Sequence, residues 1–193
     1  MRISKSESFV VGSLCIIFLL IILASCSIPA VGGQTTPAAS GTAGSVNAGA
    51  PGATTQENQI AQAVFRALNQ SRAENHLPPL RWNVALVRSA RQHNLAMQAA
   101  NTLSHQLPGE ADLGKRESQQ GIHWVWAAEN IGETTEMSTN GALALHQAMM
   151  NERPPDDGHR QNILTNVGTM IGISILLDQQ HGILWLTEDF AKE

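Results

Sequence analysis

At 193 residues, 42% hydrophobic and only 15% charged, the chain is long enough for one buried core plus accessory segments. A net charge of −4 and aromatics at 4% leave neither a basic stripe for phosphates nor a stacking platform for bases, which argues against nucleic acid as a partner. Both cysteines, Cys15 and Cys26, fall within the first 26 residues, so no disulfide can staple the remainder and its stability must come from apolar burial.

The N-terminus reads as an address. Arg2 and Lys5 precede an apolar run from Leu14 to Ala24, which suits a signal-peptide core and falls short of the ~18 to 20 residues of a spanning helix. The run ends in Leu23-Ala24-Ser25-Cys26, which resembles the lipobox of bacterial lipoproteins. That resemblance implies lipidation of Cys26, removal of what precedes it, and an exported protein anchored to the outer face of a bacterial membrane. An uncleaved anchor or an ordinary cleaved signal would export the chain as well. Residues 27–56 are Ala, Gly, Thr, Ser and Pro with almost no charge; such a segment buries too little to offset its ordering entropy and is expected to be a flexible tether. The ordered domain is expected over 57–193.

Within it, Ile60, Val64, Leu68 and Ser71 recur at helical spacing until Pro78 and Pro79. Asn83 can cap a second helix that turns Leu86, Ala90 and Met97 to one face. The spacing of Ala142, Leu145 and Met149 predicts a third helix over about 139–152, and "HRQNIL" a short fourth, with Asp156 or Asp157 as cap. "GIHWVWAA" at 121–128 alternates as a strand does, and "GTMIGISILL" and "GILWLTEDF" form a β-hairpin joined at 178–181. Helices before, between and beside a small antiparallel sheet indicate an α+β domain or a three-layer α-β-α sandwich, with the tryptophans in the core or on a sheet face.

No H-E-x-x-H helix, G-x-S-x-G elbow, P-loop or cysteine pair is present, so the chemistry left is that of imidazole and carboxylate. Of seven histidines, His76, His123 and His181 stand in polar or loop contexts, while His93 and His146 fit half-buried, satisfied positions of amphipathic helices. His105 precedes a turn forced by Pro108 and Gly109, and His159 opens the fourth helix, where the dipole favours a neutral ring. Two glutamates stand where regular structure is expected to stop. Glu129 closes the tryptophan strand, and Glu152 ends the third helix before Pro154 and Pro155, where the dipole disfavours a carboxylate. Taken singly, each is most simply a solvated or salt-bridged glutamate.

The order "LSHQLPGEADLGKR…AENIGE…MMNERPPDDGHRQNIL…VGTMIGISI…WLTEDF" resembles the SCP-like domain of the CAP superfamily of cysteine-rich secretory, antigen five and pathogenesis-related proteins. It is most similar to the short bacterial branch, over about residues 58 to 190. The resemblance implies a three-layer α-β-α sandwich whose cleft carries His105, Glu129, Glu152 and His159. Many bacterial members have serine at the helix-end position, so the glutamate at 152 favours a divalent-ion site. Met149 replaces the usual tryptophan and Ala128 the usual glycine, changes that bear on the cleft wall. In this reading the proline break lets the chain fold back, bringing His159 to the cleft that Glu152 reaches. His105 and His159, with oxygens of Glu129 and Glu152, would hold one divalent cation, zinc ahead of magnesium or calcium, with a position open to water or ligand.

Three functions follow from that cleft. The first is a binding module for a small apolar or cell-envelope ligand, lipid included. The second is a metal-dependent hydrolase, peptidase- or nuclease-like, with Glu129 or Glu152 as candidate base. The third is an adhesion or structural domain whose tetrad only orders loops. Geometry separates them: a metal site turns imidazole nitrogens toward one point, whereas a loop-ordering network bonds them to backbone or to each other.

Overall fold

The computed structural model describes residues 49–193. The leader, the lipobox Cys26 and most of the tether lie outside the described residues. The elements in chain order are α1 (Thr55–Glu74), β1 (Arg81–Trp82), α2 (Val84–Ala100), α3 (Leu113–Gln119), β2 (Trp126–Thr134), α4 (Thr139–Met150), α5 (Gly158–Ile163), β3 (Met170–Asp178) and β4 (Ile183–Lys192). Among the described residues no helix is long and apolar enough to cross a membrane.

Local chemistry sets the helix starts. A capping box begins α1, Thr54 Oγ1 accepting from the Glu57 amide at 3.1 Å and Glu57 Oε2 from the Thr54 amide at 2.7 Å. Regular structure therefore starts two residues before Glu57. The other oxygen of Glu57 accepts from the Leu177 amide at 2.8 Å, tying the start of α1 to β3. Asn83 caps α2, Asp112 caps α3 and Ser138 caps α4 through their side chains.

The four strands lie in the order β1-β3-β4-β2. β3 and β4 form the expected hairpin, with Asp178 paired to Ile183 at its mouth, and β2 runs antiparallel along β4. The sheet is nevertheless mixed, because β1 pairs parallel to β3. Two residues, Arg81 and Trp82, are too few to show a strand period. The tryptophan strand also begins later than its alternation predicted. Residues 121–125 are not strand; Val125 is 70% exposed, and Trp124 donates through Nε1 to the Gly114 carbonyl of α3 at 2.8 Å.

Helices cover both faces of the sheet, giving the α-β-α sandwich. On one face Ile171, Ile173, Leu186 and Phe190 pack against Ile60, Val64 and Leu68 of α1, with Met149 of α4 and Ile163 of α5 joining the cluster. On the other, Leu176 and Trp185 meet Met97, and Met170 meets Leu86, both from α2. Strands buried on two sides read as near-continuous apolar runs, as β3 does. The helical layer lies directly on that strand: a Cβ at Gly172 would come within 2.2 Å of backbone atoms of Leu86 and Val87.

Candidate functional site

Three segments deliver the four predicted residues. After α2 the chain turns at Asn101, in the left-handed region at φ 47°, and Leu107 plugs into the cluster of Met97, Ile131 and Trp185. This loop carries His105. Glu129 comes from within β2, opposite Asp189, rather than from the strand's end. Glu152 follows the end of α4, and His159 sits in the first turn of α5.

His105 Nδ1 lies 2.8 Å from Glu129 Oε1, and His159 Nδ1 lies 2.5 Å from Glu152 Oε1. The two rings face each other, centroids 6.5 Å apart and planes 27° from parallel. All four residues thus occupy one site. Neither imidazole Nδ1 bonds to backbone. An ionised carboxylate only accepts, so each Nδ1 carries a proton, and in the neutral ring each Nε2 then keeps its lone pair. Both Nε2 atoms are buried without a hydrogen-bond partner.

The helix-end carboxylate has a local reason. Glu152 Oε2 accepts from the backbone amides of His159 at 3.0 Å and Arg160 at 3.2 Å, the free donors at the start of α5. Asp157, at the cap position, makes no side-chain cap bond, so Glu152 does the work expected of the aspartates. Its unfavourable place at the end of α4 is offset by a favourable one at the start of α5. At the other end of α5, the buried Arg72 donates through Nη1 to the carbonyls of Ile163 at 2.7 Å and Thr165 at 2.9 Å. Asn130 bridges the sheet to this helix, donating through Nδ2 to the His159 carbonyl at 3.3 Å and to Glu188 Oε2 at 3.0 Å.

Glu129 is more heavily engaged. Its Oε2 accepts from Arg116 Nη2 of α3. Burial works to raise its pKa, but the hydrogen bond from His105 and the neighbouring His93 and Arg116 outweigh it and hold the carboxyl below its ordinary value. Four residues around it were not legible as site residues. His93, assigned from sequence to a half-buried position, is fully buried, with Nδ1 2.8 Å from Glu110 Oε1 and Nε2 3.8 Å from Glu129 Oε1. Arg116 belongs to α3, which sequence periodicity missed because its seven residues include one large apolar side chain, Leu113; Asp112 as a cap was the available signal. Glu117 and Asp189 are fully buried, and no oxygen of either has a hydrogen-bond partner. Burial, then the proximity of Asp189, pushes Glu117 up to about 9, and burial with Glu129 nearby pushes Asp189 up to about 7.

The donors admit a cation in one way. Among the described residues no three His, Cys, Asp or Glu side chains group as an ion's ligands, and the oxygens of Glu129 and Glu152 already accept hydrogen bonds. The nitrogens left are Nε2 of His105 and of His159. Tetrahedral zinc at ~2.1 Å from both would hold the ring centroids roughly 5 Å apart, so from the observed 6.5 Å the two rings would have to close by about 1 Å to share an ion. Carboxylates behind the imidazoles fit the usual support of a metal-binding histidine. A recess of about 520 Å³ opens elsewhere, between α1 and Trp82; none of the four residues lines it.

A mixed sheet between two helical layers, with paired histidines and glutamates in one site, defines a CAP/SCP-like domain. The family model described as "Cysteine-rich secretory protein family" matches residues 65–190, and the chain belongs to that family. Among solved structures, it is similar to an extracellular protein containing a SCP domain from Bacillus anthracis, at 26% identity and TM-score 0.61 over 71% of this chain and 41% of that one. It is similar in fold to an outer surface protein from Borrelia burgdorferi (16%, TM-score 0.60, 70% of this chain and 93% of that one). A cysteine-rich secretory protein from Staphylococcus aureus is also similar in fold (18%, TM-score 0.57, 73% and 40%). The chain therefore spans less than half the length of two of these relatives. No curated protein matches it.

Proposed function

We propose that this chain is an exported CAP-type binding module, tethered to the outer face of a bacterial membrane through Cys26, whose cleft holds one exchangeable divalent cation, zinc before others, between His105 and His159. The observation that carries the reading is the pair of buried, unpartnered Nε2 atoms on facing rings, each ring fixed through Nδ1 by a carboxylate. Such a cation would offer open positions to an acidic or lone-pair group of a small ligand. The ligand class is a lipid or other envelope-derived molecule, which the family resemblance suggests and an anchored location makes accessible. Export is supported by the leader and by the similarity to an extracellular protein.

In this account His105 and His159 bind, Glu129 and Glu152 orient the rings, and Glu152 also fixes the start of α5. A hydrolytic role fits less well. Every oxygen of the two candidate bases already accepts a hydrogen bond, and Glu129 is held ionised, which makes it a poor proton acceptor.

The test is zinc content after dialysis of the purified protein against buffered zinc, beside the double variant His105→Ala with His159→Ala. The reading expects about one equivalent in the first and none in the second. Equal content in both would remove it.

A further inference from the structure

We infer that Arg116 is the positioning residue of the His105 half of the site: by holding Glu129 Oε2 it leaves Oε1 to accept from His105 Nδ1–H, and so sets the tautomer that presents Nε2 to the cleft. Arg116 is fully buried and comes from α3, outside the four-residue set. Its Nη2 donates to Glu129 Oε2, and its Nη1 lies 3.8 Å from Glu110 Oε1. The same Glu110 oxygen meets His93 Nδ1 at 2.8 Å, and His93 Nε2 returns to within 3.8 Å of Glu129 Oε1. Glu129, Arg116, Glu110 and His93 thus lie in one buried cluster, hydrogen-bonded at Arg116–Glu129 and His93–Glu110 and in proximity only, at 3.8 Å, across the other two contacts. Of these four groups, only Arg116 presents a planar fork that can fix a carboxylate's orientation. Glu152 needs no such partner, because two backbone amides hold its second oxygen.

The two halves of the site are therefore built differently. His159 is set by backbone donors that no side-chain change removes, whereas His105 depends on one guanidinium. With Arg116 gone, the Glu129 carboxylate is free to turn, and the His105 ring is released toward the Nε2–H form that unconstrained imidazole favours. The Nε2 lone pair is then withdrawn from the cleft. This assignment rests on the cation-binding reading only for its consequence, a loss of zinc affinity of about 10- to 100-fold, as is usual when the support behind a metal-binding histidine is removed.

The experiment is ¹⁵N-histidine NMR of the metal-free protein with Arg116→Met and Arg116→Lys, using His159 as internal reference. The unmodified protein is expected to show both histidines as Nδ1–H. Arg116→Met is expected to move His105 predominantly to Nε2–H with His159 unchanged, and Arg116→Lys to restore most of the Nδ1–H population. A folded Arg116→Met protein in which His105 stays Nδ1–H, or in which His105 and His159 change together, overturns the assignment. If Arg116→Met does not fold, the guanidinium signals of the unmodified protein decide: slow rotation and protected Nη protons support the assignment, and a freely rotating, fast-exchanging group refutes it. Tautomers are read without metal, so a failure to bind zinc leaves this result standing.

Discussion

Glu117→Gln should change how stability depends on pH. Glu117 lies on α3, fully buried, with neither oxygen partnered, and its carboxyl is pushed up to about 9 from 4.5 by burial and by Asp189. Between those values the folded state keeps a proton that the unfolded state releases, so stability falls as pH rises. The contribution is fully present below 4.5 and is lost progressively toward 9. From pH 4.5 to 7, at about 1.4 kcal/mol per pH unit, it amounts to ~3 kcal/mol. Glutamine preserves shape and cannot ionise. Urea unfolding of the parent and of Glu117→Gln at pH 5, 6, 7 and 8 should give a parent curve that declines more steeply, the variant gaining relative stability toward high pH. Parallel curves would refute the reasoning, whatever the absolute stabilities, because only the slope reports the retained proton.

Other outcomes follow from the same geometry. Glu152→Ala should cost about 1 to 2 kcal/mol in urea unfolding and Asp157→Ala much less, since Glu152 alone of the two accepts from the first amides of α5. Arg72→Met strands the carbonyls of Pro78, Ile163 and Thr165 and should cost ~2 to 4 kcal/mol, with faster amide exchange across α5. Gly172→Ala pushes a methyl into the α2 backbone and should lower stability by at least ~2 kcal/mol, visible as a fall in thermal midpoint. Trp185→Ala, emptying a fully buried site, should cost about 3 to 5 kcal/mol.

Elements with a strong period were readable from the chain. Ile60, Val64 and Leu68 face the sheet as their spacing requires, and the β3–β4 hairpin falls where its β-rich runs and intervening polar residues placed it. Neither β1 nor α3 has enough residues to establish a period, so Arg116 stayed hidden with its helix. Trp124 and Trp126 mimicked a strand across 121–125 because a loop lying on α3 also alternates its large side chains. The four residues gathered by resemblance do share one site, yet the part played by each oxygen was out of reach. Glu152 as the cap of α5 depends on a chain reversal that no local pattern encodes. Glu188 and Asp189 are carboxyls within a strand buried on both faces, a conflict between residue type and environment that points to special structure before any coordinates exist.

The most direct test of the central claim is a zinc titration of the ¹⁵N-histidine-labelled protein, following every imidazole at once. The account predicts that the Nε2 signals of His105 and His159 shift together and saturate near one equivalent, while those of His93 and His146 stay in place. Saturation with neither Nε2 moving, or with one moving alone, would contradict it.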